Sequence, residues 1–236
     1  MALGLGIANE LLETPTLWTP REQGLNDFLL FWLENNNDIS ASAWLDQSDN
    51  QNDTTQSTTL YQPSVARGGL RFNGTSDYHD FDTKFTIAQR GPFTVCMAFY
   101  LTDNTTRCFL SDGASEFMEI MTGKKLRFKG AAGGGLTTTL ASQNTIFPTE
   151  ETIIMVLARN PDDFFKLYIN GVDIPFTVAS TNTTNNRGFD VFNLGIRNDN
   201  DRHFSGDIFE IFMYNKFLTP SQIENATNYL KSKQPF

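Results

Sequence analysis

Asp207 and Glu210 stand three residues apart in the apolar run Gly206-Asp207-Ile208-Phe209-Glu210-Ile211-Phe212-Met213-Tyr214, and Glu116 and Glu119 repeat that spacing. Two carboxylates about 5 to 9 Å apart on one surface can hydrolyse a glycosidic bond, one protonating the leaving oxygen while the other activates water or attacks. The run around Asp207 reads as a strand, and successive strand side chains point to opposite faces. Residues three apart therefore project away from each other, and neither pair is expected to flank one sugar. No catalytic residue is assigned.

Other chemistry-bearing residues are sparse. The chain has two histidines, His79 beside the Asp77-Tyr78 turn and His203 ahead of the last apolar run. A zinc centre or a nucleophile triad needs several His, Cys or carboxylate groups converging, and no His-x-x-x-His or Cys-x-x-Cys spacing occurs. Both histidines are expected at the surface or in turns. The glycines from Gly130 to Gly135 lack a following Gly-Lys-Ser/Thr, so they read as a mobile hairpin end rather than a phosphate cradle. Cys96 lies in a strand pattern as a small buried hydrophobe, with a bridge to Cys108 as the alternative.

Charge narrows the partners. Eighteen Lys and Arg against 27 Asp and Glu leave a formal charge of −9, a field that opposes nucleic acid and anionic membranes. No apolar run reaches the roughly 20 residues of a membrane helix. No leader pattern precedes the first element, so a cytoplasmic site of synthesis without a secretion signal is expected. The sequons at Asn52, Asn73, Asn104, Asn182 and Asn225 accordingly read as turn residues.

The elements that would position these groups are short strands. Phe28 to Leu33 is a buried apolar run followed by an Asn35–Asp38 turn. Phe93, Val95, Met97, Phe99 and Leu101 alternate as one heavily apolar strand face, and Ile153 to Leu157 reads as a central strand covered on both sides. Asn170-Gly171 suits a type I′ hairpin. At the end, Thr219-Pro220-Ser221-Gln222 is a capping box with proline at the first helical position, and Ile223, Ala226, Thr227 and Leu230 follow at helical spacing. With strands, turns and no alternating helices, the economical architecture is one all-β domain: an antiparallel β-sandwich of jelly-roll type with a short C-terminal helix. At 236 residues one domain is favoured, spanning 25–236 behind an extended N-terminal arm at 1–24.

Several segments carry a resemblance. Phe-Ser-Gly-Asp-Ile at 204–208 with Asn-Tyr-Leu-Lys-Ser-Lys at 228–233, Trp44-Leu45-Asp46-Gln47-Ser48, and Leu70-Arg71-Phe72-Asn73-Gly74-Thr75-Ser76-Asp77-Tyr78 together resemble concanavalin A-like (laminin G-like) jelly-roll domains over roughly residues 28 to 234. The Met-Ala-Leu-Gly-Leu-Gly opening is similar to laminin G-like proteins of tailed phages. The resemblance implies a binding or structural sandwich; the Glu-x-Asp-x-x-Glu strand of its laminarinase-like members is absent. It also raises calcium, for which Asn198-Asp199-Asn200-Asp201 is the densest oxygen cluster and Asp46 and Asp49 the next. Neither has EF-hand spacing and both suit ordinary turns, so no metal residue and no cofactor is assigned.

The resulting expectation is a non-enzymatic, lectin-like virion accessory protein, a capsid decoration or head/tail surface subunit. Leu3, Leu5, Ile7, Leu11, Leu12 and Trp18 of the arm would dock it onto other assembly subunits, the major capsid protein or a second copy of the chain. The alternative is a module recognising cell-surface glycans, with Trp18, Trp44, Tyr61, Tyr78 and Tyr100 available for stacking. A glycoside hydrolase ranks third.

Overall fold

Bulky residues at alternate positions give most strands an apolar face to bury, and the chain satisfies this by stacking two antiparallel sheets. The computed structural model describes residues 17–22, 24–113, 116–123, 125–130, 139–142, 147–148, 150–162, 165–180, 188–197 and 202–234. In chain order the strands are β1 (Leu29–Leu33), β2 (Ala43–Trp44), β3 (Thr54–Thr55), β4 (Ser64–Ala66), β5 (Gly69–Asn73), β6 (His79–Ile87), β7 (Phe93–Leu101), β8 (Arg107–Ser111), β9 (Phe117–Met121), β10 (Lys125–Lys129), β11 (Thr139–Ser142), β12 (Thr152–Arg159), β13 (Phe165–Ile169), β14 (Val172–Asp173), β15 (Phe176–Ser180), β16 (Phe189–Leu194) and β17 (Ser205–Tyr214), followed by helix α1 (Pro220–Lys233). One sheet runs β14-β13-β12-β7-β17-β5-β4 with β1 also paired to β17, the other runs β10-β9-β8-β16-β6-β3-β2, and β11 pairs with β15. This is the expected β-sandwich with its C-terminal helix.

Phenylalanine fills the space between the sheets. Ring centroids lie 4.8 Å apart for Phe31 and Phe81, and 4.9 Å apart for both Phe99–Phe109 and Phe128–Phe189. Such pairs add about 0.5–1.5 kcal/mol each beyond the area they bury. A second apolar cluster lies on the outer face of the first sheet, where Cys96, Ala98, Phe209, Phe212 and Tyr214 meet Ile223, Ala226, Tyr229 and Leu230 of α1. Strand β7 therefore differs from the one-faced expectation: Thr94, Cys96 and Ala98 are as buried as Phe93, Val95 and Met97, because the helix covers what the alternation left polar or small.

Local signals are obeyed where they are strongest. Thr219 Oγ1 accepts from the Gln222 amide at 3.3 Å and Gln222 Oε1 accepts from the Thr219 amide at 2.9 Å, closing the capping box. Asn170 and Gly171 both have positive φ, 53° and 86°, joining β13 to β14. Gly206 has φ 141°, and a Cβ there would come 1.9 Å from the Tyr100 carbonyl oxygen, so only glycine lets β17 approach β7 at that point.

Three expectations are corrected. His79 is wholly buried between Thr54 Oγ1 at 3.1 Å and the Ala41 carbonyl at 3.0 Å, and burial pushes its pKa down to about 4. His203 is also buried, its Nδ1 3.4 Å from the Asp77 carbonyl. Cys96, by contrast, is the small buried residue expected, and no bridge joins it to Cys108, which lies in the other sheet. Asn225 lies within α1 rather than in a turn. Asn52 is buried with both amide atoms bonded to the Thr83 backbone, where no glycan would fit.

Candidate functional site

Strand β17 departs from simple alternation. Asp207 opposes Tyr100 and Ile208 opposes Phe99, but the register then slips by one residue, and Glu210 opposes Ala98. Tyr100 and Ala98 are two apart on β7 and share a face, so Asp207 and Glu210 share that face too. The extra residue is a bulge, and it overturns the expectation that the two carboxylates project apart. Both now lie on the helix side of the sheet.

Neither carboxylate is available for acid–base work. Asp207 is 0% exposed and receives Arg71 in a two-pronged pair, Nε to Oδ1 at 2.6 Å and Nη2 to Oδ2 at 2.9 Å, with Arg67 Nε 3.6 Å from Oδ2. Glu210 is also 0% exposed and accepts from Trp32 Nε1 at 2.8 Å. Its Oε2 and the Tyr229 hydroxyl, both buried, have no hydrogen-bond partner of ordinary geometry. Burial pushes the Glu210 carboxyl up to about 7, against the opposing pull of the indole N–H.

The other pair, Glu116 and Glu119, is separated by its surroundings on the outer face of the second sheet. Met118 and Ile120 enter the core, so Glu119 between them faces outward. It is nevertheless 0% exposed, because Arg127 and Arg202 close over it; Arg202 Nη1 lies 3.0 Å from both oxygens. Arg127, Lys129 and Arg197 stand 5.0, 5.4 and 5.1 Å from the centroid of the adjacent Phe117 ring. Glu116 instead joins Asp112 and Asp190, and one carboxylate oxygen from each lies within 4.8 Å of the others. Such a trio of hard oxygens could hold a divalent cation, but Lys84 Nζ already sits 3.2 Å from Asp112 and 2.9 Å from Asp190. Burial pushes the Glu116 carboxyl up to about 6. Sequence reasoning missed this trio, which comes from three separate strand ends.

Of the calcium candidates, Asn198 to Asp201 lie outside the described residues. Asp46 is spent on its own loop, accepting from the amides of Trp32, Ser48 and Asn52 at 2.8, 2.8 and 2.9 Å. Asp49 pairs with Arg21 at 2.8 Å. Asp46 therefore organises its turn, while Asp49 ties the loop to Arg21 and Asn26.

Among the docking residues, Leu3, Leu5, Ile7, Leu11 and Leu12 lie outside the described residues. Trp18 is partly buried on its own domain, with its ring 6.3 Å from Phe212 and 5.7 Å from Tyr229. Nearby, the Tyr214 hydroxyl donates to the Pro20 carbonyl at 2.9 Å. Trp32 and Trp44 are in the core. Tyr61 is 38% exposed and stacks 5.7 Å from Tyr78. Tyr100 lies under the Arg67 guanidinium at 4.8 Å and lines a cleft of about 530 Å³ beside the end of α1, with Thr152, Asn170, Lys231 and Gln234 in its other walls. That volume falls within the roughly 300–1,000 Å³ of small-ligand sites.

The architecture has many counterparts among solved structures. Trypanosoma rangeli sialidase in complex with sialic acid matches with a TM-score of 0.59 at 14% identity, over 89% of this chain and 34% of that one. The binding domain of Paraclostridial Mosquitocidal Protein 1 matches with a TM-score of 0.61 at 16% identity, over 86% of this chain and 52% of that one. The chain thus spans about a third of the first and half of the second, and at these identities the likeness is one of fold. No curated protein sequence matches. The family profile described as the concanavalin A-like lectin/glucanases superfamily matches residues 73–224, a span from the end of β5 into α1, and on that match the chain belongs to this superfamily.

Proposed function

We propose that the chain is a non-enzymatic, lectin-like module that binds carbohydrate. The observation that carries this reading is the state of the two carboxylates on β17: both are wholly buried, one held by guanidiniums and the other by an indole. A glycosidase needs both groups within reach of substrate. Binding needs a cleft with aromatic and hydrogen-bonding walls, and the same sheet face has one. A sandwich of this fold serving as the binding domain of a mosquitocidal protein agrees with such a role. On a glycan array the chain is expected to retain a subset of glycans and to release no reducing sugar from them. Hydrolysis of a retained glycan would replace this reading with an enzymatic one, and an empty array would remove it.

A second reading rests on Trp18. With its ring set against Phe212 and Tyr229, the chain has a fixed point just after the apolar stretch that contains Leu3, Leu5, Ile7, Leu11 and Leu12. In this reading the stretch docks the sandwich onto a larger assembly such as a virion surface. Removing residues 1–16 spares the Trp18 contacts, so the truncated chain should fold and yet fail to join the assembly. Normal incorporation would end the docking role.

A further inference from the structure

The 530 Å³ cleft does not stop at Lys231. A second cavity of about 360 Å³ shares Asn170 and Lys231 with it and runs on along α1 past Tyr168, Val172 and Glu224. The two adjoin as a groove between the helix and the β12–β14 edge of the sheet, meeting where Lys231 Nζ donates to the Asn170 carbonyl at 3.1 Å. At one end of this groove sits Gln234, only 6% exposed, with neither its amide nitrogen nor its amide oxygen hydrogen-bonded to a described residue. A buried primary amide without partners carries an uncompensated desolvation cost and is rare in native proteins.

Charge restricts what the groove would take. Its described lining holds two cations, Arg67 and Lys231, against three carboxylates, Glu150, Glu151 and Glu224. Both cations are already engaged, Arg67 with Asp207 and the Tyr100 ring and Lys231 with Asn170. An acidic sugar would enter a lining with more negative than positive charge and find no uncommitted cation. A primary amide, by contrast, offers one donor group and one acceptor, which suits neighbouring hydroxyls that can each give or take a hydrogen bond.

Building on the carbohydrate-binding reading, we infer that the groove along α1 binds a neutral, hydroxyl-rich oligosaccharide, with Gln234 supplying the buried polar contact. The two cavities, about 530 and 360 Å³, each fall within the size range of small-ligand sites, and the Arg67 guanidinium over the Tyr100 ring forms one wall.

The test uses the full chain with neutral glucan, xylan and mannan oligosaccharides and with sialyllactose and oligogalacturonate, read by array and by calorimetric titration. Gln234→Leu removes the unpaired amide, so it should leave thermal stability unchanged or higher while weakening neutral-glycan binding by roughly tenfold or more. The double variant Glu151→Lys with Glu224→Lys changes two exposed residues and should admit the acidic sugars; it decides the matter if the Gln234 variant does not fold. Neutral-glycan binding unaltered in both variants would move the site elsewhere while leaving a lectin. Binding of acidic sugars alone by the natural chain would overturn the ligand class. No binding to any sugar would remove the groove and the lectin reading together.

Discussion

Glu210 and Glu119 are each 0% exposed, and each points away from the core between the sheets, yet the protein keeps them in opposite ways. Glu210 lies beneath α1, where the helix excludes water and the Trp32 indole donates at 2.8 Å beside the Tyr229 hydroxyl. Glu119 lies on a face that no described helix covers, and two arginines whose side chains remain about a quarter exposed close over it. The helix turns its apolar face to Glu210, and its nearest cation, Lys233, is already paired with Glu34 at 2.8 Å, so burial prevails and the carboxyl is pushed towards the neutral form. A lid made of guanidiniums brings its own countercharge and tolerates the carboxylate. The lesson is that burial alone does not set the chemistry of a carboxylate; the material that buries it does.

The comparison breaks most visibly if its ionic half is dismantled. Replacing both Arg127 and Arg202 with alanine leaves Glu119 without these countercharges, and the loss in chemical denaturation should be about 3 kcal/mol. A loss below about 1 kcal/mol would mean that water, rather than the arginines, satisfies Glu119.

The helix-covered half is tested by pH. The folded pKa of Glu210, about 7, lies above the ordinary glutamate value of 4.5. The protonated form is thus favoured in the folded state, and this stability is fully present below pH 4.5. It falls as pH rises from 4.5 to about 7 and is flat beyond, a loss of about 3 kcal/mol. Glu210→Gln, which keeps an acceptor for Trp32, should flatten that segment of the stability–pH curve. A curve that the substitution leaves unchanged would show that Glu210 is ionised beneath the helix.

A finer test concerns Glu116, held up at about 6 by burial while Lys84 pulls it down. Lys84→Ala should raise that pKa further, followed through the side-chain carboxyl resonance, with little change in stability because Lys84 is exposed. A fall in pKa would place the burial argument in doubt on this face as well.

Legibility followed distance along the chain. The Thr219–Gln222 capping box and the Asn170-Gly171 turn were readable because each is made within four residues by groups whose backbone preferences are strong. Asp207 and Glu210 were misread because a single extra residue at Phe209 reverses the parity of a strand, and nothing in the local alternation announces a bulge. His79 was misread because its partners, Ala41 and Thr54, come from other segments. The Asp112–Glu116–Asp190 trio and the groove ending at Gln234 were invisible for the same reason: each is assembled by sheet register and helix docking.

Alternation, turn chemistry and capping are properties of neighbouring residues, so the sequence by itself determined a sandwich of short strands closed by one helix, with an aromatic interior and few candidates for catalysis. Which groups face each other, which carboxyl lies under a helix and which under arginines, and where a groove remains open depend on contacts between residues far apart in the chain. Only the tertiary structure decided those, because burial and countercharge are supplied by whatever packs across the face, not by what precedes or follows in sequence.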